Sequence, residues 1–342
     1  MFVMATTPGA SNDHPRTPGM SLAPLSEILP RLRITKHKLN HLQLIESVRE
    51  QRERRTQELA FNARPFVLCG LPVRPLSRDQ VVYKRRNGNL FLHIVGHPDF
   101  GLPFGQDRLI PIWAATLALR QKTAPSISRA LPRCSRSSAS PRMAGITGAW
   151  CRVSNASLRP PPFSGPITSR GESPVIDWTR FHFLDQMKLW CSPDNGDAEA
   201  GNEDPGNVIT LSEALYNEID HHRIPVERNV VAALAHAPGV LDFYLWLVWK
   251  SWTVNGHPAS IPMVAPGGLN EQPGTTEYSL DRRFCQTIVG WLRRVRAFWP
   301  ECPAIVTNDL RFLVVHSSRI SPAIRPAVKE HSQSTAWLAL AI

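Results

Sequence analysis

The chain has 342 residues, 42% of them hydrophobic, which suits two modest cores better than one. Its formal net charge of +11 would ordinarily point to nucleic acid, yet seven of those charges are arginines of a single stretch, 124–171, leaving +4 for the rest. No apolar run approaches the roughly 18 residues of a membrane span, the opening MFVMATTPGASNDHP has no signal-peptide pattern, and six scattered cysteines without metal spacing read as thiols in a reducing cytoplasm.

Residues 1–20, with Pro, Gly and Thr, read as a disordered tail. Ser21–Asn62 reads as helix, perturbed at Pro30 and dense in charge later (ESVREQRERRTQE). VVYKRR and LFLHIV then flank Asn87-Gly88, the dipeptide that supplies positive φ to a two-residue hairpin turn. Lys84, Arg85 and Arg86 sit just before that turn, where they suit either a grip on phosphates or the charged guard of an edge strand. Gly101, Pro103 and Gly105 end the strand region, and Leu109–Leu119 follows at mainly helical spacing.

Arg180–Trp190 reads as a strand, and the acidic, Gly-rich SPDNGDAEAGNEDPGN after it reads as a flexible loop without the calcium-loop spacing. Thr210 or Ser212 can cap a helix through Ile219. Val226–His236 and Gly239–Trp252 read as two more helices, the second apolar almost all round and therefore central to the core. Ile261–Met263 reads as a short strand.

Asp281–Trp299 has the clearest helical pattern. Phe284, Ile288, Trp291, Leu292, Val295, Phe298 and Trp299 fall on one side, while Arg282, Arg283, Arg293, Arg294 and Arg296 point away. Ala304–Val306 and Arg311–Val315 then read as two strands with Asn308-Asp309 at the turn. A helix followed by such a hairpin is the winged-helix plan, in which one helix enters the major groove and the wing meets backbone. The five arginines can neutralise phosphates or read guanine edges; the alternative is an ordinary solvated face. Nothing in the sequence suggests an enzyme. The chain has no Walker loop, no G-x-G-x-x-G and no nucleophile elbow, and polar pairs such as Asp107-Arg108, His221-His222 and His236 near Asp242 suit structural roles. No cofactor and no metal is expected.

Three stretches carry a family resemblance: HPDFGLPFGQDRLIPIWAATLALRQK (His97–Lys122), Ile224–Trp252 and Trp291–Pro303. They resemble plasmid-encoded RepA-type replication initiators, over residues 65–123 and 175–320. The resemblance implies an α+β chain with tandem winged-helix domains behind a helical N-terminal extension. The expected bounds are a tail at 1–20, the extension at 21–64, a first domain at 65–190, an acidic loop at 191–207, a second domain at 208–320 and a tail at 321–342. It also implies a cytoplasmic DNA-binding protein that recognises repeated sites in double-stranded DNA at a plasmid origin and helps recruit host replication proteins, with homodimer formation open. A winged-helix transcriptional regulator, an Arg-rich module binding an acidic protein and an impaired initiator are the alternatives.

The block 124–171 does not share the resemblance. It has seven arginines, no Asp, Glu or Lys, much Ser and Pro and no apolar period, so its composition suits a disordered basic linker. A second account is translation in the wrong frame. Pairing the last base of each codon with the first two of the next allows Gly145–Gly165 to spell HYRRMVQGFERIFAATTFFG, an amphipathic helix running into a strand. Under that account two compensating frame changes bracket the block, near Thr123 and Ser173, and the protein folds well only from about 205 onward, with Trp113 and Leu117 deprived of partners.

Overall fold

The computed structural model describes residues 36–77, 79–87, 90–121, 126–128, 134–135, 152–153, 156–159, 181–188, 191–192, 208–264, 268–272 and 280–318. The chain divides into two units, Met1–Gln43 and Leu44–Ile342. In the first, residues 36–43 open helix α1 (Lys36–Arg54). The tails at 1–20 and 321–342 lie outside the described residues.

The second unit is α+β. After α1 come β1 (Leu59–Ala63), α2 (Arg64–Leu68), the hairpin β2 (Val82–Asn87) and β3 (Leu90–Val95), a 3-10 turn (Gly105–Arg108) and α3 (Leu109–Gln121). Short strands β4 (Ser126–Ser128), β5 (Cys134–Ser135), β6 (Ala156–Arg159), β7 (Phe181–His182), β8 (Leu184–Lys188), β9 (Cys191–Ser192) and β10 (Val208–Leu211) follow. Then come α4 (Glu213–His222), β11 (Arg223–Glu227), α5 (Arg228–Leu234), α6 (Pro238–Thr253), β12 (Ala259–Pro262), a 3-10 turn (Leu269–Glu271), α7 (Asp281–Phe298), β13 (Ala304–Val306) and β14 (Phe312–Val315).

Several expectations are corrected at element level. The predicted helix 21–62 is described only from Lys36, ends at Arg54, and yields to strand β1. Val226 belongs to a strand rather than a helix: β11 pairs antiparallel with β1, with Phe61 opposite Pro225. The hairpin register sets Asn87 opposite Leu90, so Asn87 belongs to β2 rather than to the turn, and Gly88 lies outside the described residues. Ser212 is the cap of α4, its hydroxyl accepting from the Leu215 N–H at 3.1 Å. The block 124–171 is not wholly without structure. β6 pairs with β3, placing it in the sheet β2-β3-β6-β7, and β4 pairs with β10 in the sheet β4-β10-β8.

Two buried clusters share α3. Ile110, Trp113 and Ala114 face one with Tyr83, Leu92, Ile94, Phe183, Ile209 and Leu215, while Leu109 and Ile112 face the other with α6 and α7. Trp113 is 2% exposed, and Leu117 packs on the first cluster, so the side chains expected to lose their partners have them. A helix between two cores must be apolar on nearly every side, and Leu109–Ala118 is buried at every position except Leu117. Thr116 is the polar exception. Its hydroxyl donates to Ile112 O at 2.6 Å and accepts from Phe61 N–H at 2.9 Å, tying β1 to α3.

The same argument applies to α6, where Gly239–Val248 is buried throughout, including one charged residue, Asp242. A carboxylate on such a helix requires a partner. Arg108 supplies it: Nη1 donates to the Asp242 carboxylate and to Pro238 O (3.2 Å), Nη2 to Leu71 O (3.0 Å) and Pro72 O (2.9 Å), and Nε to Gly105 O (2.7 Å). Burial pushes the Asp242 carboxyl up to about 6 against the pull of Arg108. The neighbouring residues of the G-Q-D-R turn are also committed. Gly105 holds φ +56°, where a side chain would be strained. Gln106 Nε2 lies 3.2 Å from His236 Nδ1. Asp107 accepts Phe104 N–H at 3.0 Å and a bidentate grip from Arg152 at 2.6 and 2.8 Å. Arg152 belongs to the anomalous block, and the adjacent Val153 is fully buried.

Asp242→Ala strands the buried Arg108 guanidinium and should cost about 3–5 kcal/mol in urea unfolding, with the Arg108/Asp242 double variant losing less than the sum of the singles; a loss below about 1 kcal/mol would contradict the pairing. At Gly239 an added Cβ would lie 2.4 Å from Trp291 Cζ2. Gly239→Ala should therefore lower stability by about 1–3 kcal/mol, recovered in part by Trp291→Leu; an unchanged melting temperature would show that α6 and α7 are not held so close. Finally, burial pushes the thiols of Cys69 to about 12 and Cys302 to about 11. Both should resist iodoacetamide in the folded chain and react on unfolding; rapid labelling without denaturant would contradict their burial.

Candidate nucleic-acid interface

α7 is an 18-residue helix with one apolar side, and Phe284, Cys285, Ile288, Leu292, Val295 and Phe298 are buried. That side packs on α6: Phe243 lies 6.2 Å from the Trp291 ring, and Tyr244 meets Trp299 edge-on at 6.4 Å. The far end is fixed twice. Arg52 of α1 reaches Phe298 O while its Nε grips Glu227 at 2.9 and 3.0 Å. Arg296 Nη2 donates to Ala304 O at 2.7 Å, binding α7 to β13.

The opposite side is cationic. Arg282, Arg283, Arg293 and Arg294 are all exposed, and their side chains make no hydrogen bond or ion pair with another described residue. Arg296 is exposed as well, but its bond to Ala304 gives it a structural task that the sequence did not reveal. Four guanidinium groups on one solvated face form a concentrated positive field, suited to a polyanion.

Beside α7 lies the sheet β12-β14-β13. Its hairpin turns over Thr307–Arg311, held by Thr307 Oγ1, which donates to Asp309 Oδ1 (2.5 Å) and accepts Phe312 N–H (3.0 Å). Arg311 N–H donates to Asp309 Oδ1 at 3.1 Å, and Leu310 takes φ +58°. These contacts hold the Asp309 carboxyl below its usual range, chiefly through the Thr307 hydroxyl. Exposed Arg311 at this turn is a further cation that sequence reasoning passed over, although a basic residue at a hairpin tip was the available signal.

The first hairpin does not gather the three basic residues assigned to it. Lys84 is exposed, but Arg85 turns inward: it is 8% exposed, its Nε donates to the Tyr83 hydroxyl at 2.7 Å, and its guanidinium lies 5.3 Å from the Tyr83 ring. Alternation along a strand sends neighbouring side chains to opposite faces, so a KRR run could never present all three to one ligand. The Arg86 side chain lies outside the described residues. Among the described residues no cluster of three His, Cys, Asp or Glu could hold a metal ion, and no helix is long and apolar enough to cross a membrane.

No curated protein matches the chain at a significant level. Among solved structures, the crystal structure of selenomethionine derivatives of domains 2 and 3 of RctB is similar at a TM-score of 0.40 and 13% identity, covering 68% of this chain and 84% of that one. A family model does match: residues 168–260 align with the plasmid-encoded RepA protein family, the family that the sequence resembles.

Proposed function

We propose that the chain is a DNA-binding plasmid replication initiator, acting in the cytoplasm without a catalytic step of its own. It recognises repeated sites in origin DNA and helps recruit the host replication proteins, with self-association into a homodimer a further property of the same reading. The observation that carries the proposal is the arrangement around α7. The order α6, β12, 3-10 turn, α7, β13, β14 with sheet order β12-β14-β13 matches the winged-helix plan, with α7 in the position of the groove-entering helix and the Thr307–Arg311 hairpin as the wing. The family match over 168–260 supports the initiator role over that of a simple repressor. On this reading a first winged-helix domain at 65–190 precedes a second at 208–320.

A second reading has its own observation. The block 124–171 differs from its flanks in composition, with seven arginines and no Asp, Glu or Lys, and this favours an initiator altered by a frame change across that block.

One experiment separates these accounts. A plasmid whose sole origin is the DNA flanking this gene should be maintained in a permissive host when the gene is intact and lost when it carries a stop codon. Loss in both cases, with maintenance restored when 124–171 is rewritten in its alternate frame, identifies an altered initiator. Loss in all cases, with binding to its own promoter retained, identifies a transcriptional regulator.

A further inference from the structure

The arginines of α7 are not spread evenly. A helix turns about 100° per residue, so Arg282 and Arg293, eleven residues apart, lie within about 20° of one another, as do Arg283 and Arg294. The two pairs therefore form two rows about 100° apart around the helix, each about 16 Å long. Gln286 and Gly290 lie about 40° and 80° from Arg282, in the strip between the rows. Gln286 is exposed, and a Cβ built on Gly290 meets nothing within 4 Å. Thr287, just outside the strip, spends its hydroxyl on Arg283 O at 2.8 Å. Gln286 is thus the uncharged hydrogen-bonding side chain that the strip offers outward.

We infer that α7 divides recognition between these elements. The rows Arg282/Arg293 and Arg283/Arg294 hold phosphates of the two strands lining a major groove, and Gln286 reads a base edge between them. This rests on the DNA-binding reading above. A helix about 10–12 Å across with its side chains fits a groove about 12 Å wide, which leaves the flanking cations near the two backbones and the central strip over the base pairs. A glutamine amide both donates and accepts, matching adenine N7 and N6 in one bidentate contact. Gly290 removes the side chain that would otherwise hold the helix axis away from the groove floor.

The test uses the full chain and a pool of randomised duplexes, followed by affinity measurements over a salt series. The wild type should select a consensus. Gln286→Ala should lose preference at one or two base pairs by about tenfold or more and keep the salt slope. Arg293→Ala should keep the consensus and lower the slope by about one. Gly290→Leu should weaken binding with its melting temperature unchanged or raised, which separates lost clearance from lost folding. If the wild type selects a consensus that Gln286→Ala reproduces with undiminished discrimination, this assignment fails and DNA binding stands. If the wild type selects no sequence at all, the DNA-binding reading fails and takes this one with it.

Discussion

The buried pair of Arg108 and Asp242 is the constraint on which the arrangement depends. Arg108 immediately precedes α3, the helix shared by both cores, and Asp242 sits one turn into α6, which is buried from Gly239 to Val248. All five donors of the guanidinium are used, on one carboxylate and four backbone carbonyls drawn from three separate segments. Burying an ion pair gains little stability in itself, but it tolerates few alternatives, because any other docking leaves a charge in an apolar interior. The contact therefore fixes where α6 lies relative to the β2–β3 half of the fold, more than it adds to the total stability.

The placement of α7 follows from that of α6. Gly239 lets the Trp291 ring approach without a Cβ between them, and Phe243 and Tyr244 complete the contact. With its apolar side held there and its C-terminus secured by Arg52 and Arg296, α7 has its four remaining arginines on the solvent side. The chemistry of the candidate interface is thus a consequence of packing on the other side of the same helix.

Much of this was legible in the sequence where one period dominated. The apolar stripe of α7, the nearly all-round apolar character of Gly239–Trp252 and the hairpin before Gly96 all emerge from spacing and turn residues. What spacing could not supply was partnership. Asp107-Arg108 reads as a structural pair, but its partners, Asp242 and Arg152, lie too far away in sequence to be named from spacing. A single charge in an apolar helix was the available signal for Asp242. The helix read over Val226–His236 forms only from Arg228 to Leu234, because Val226 and Glu227 join the strand paired with β1, a long-range contact that overrides a short local pattern. Three adjacent basic residues do not make one patch on a strand, which sends Arg85 to the buried face and Lys84 to the other.

Composition alone made 124–171 look empty, yet Arg152, Val153 and β6 have places in the fold. The alternate-frame account concerns the gene, whereas the central claim concerns α7 and can be tested on the protein as it stands. The most direct measurement is a hydroxyl-radical footprint of the full chain on the DNA flanking its gene. Binding through α7 predicts repeated protected sites, each showing two backbone stretches facing each other across one major groove, and their loss when Arg282, Arg283, Arg293 and Arg294 are replaced together by alanine. Uniform cleavage, or a footprint that survives those four replacements, would contradict it.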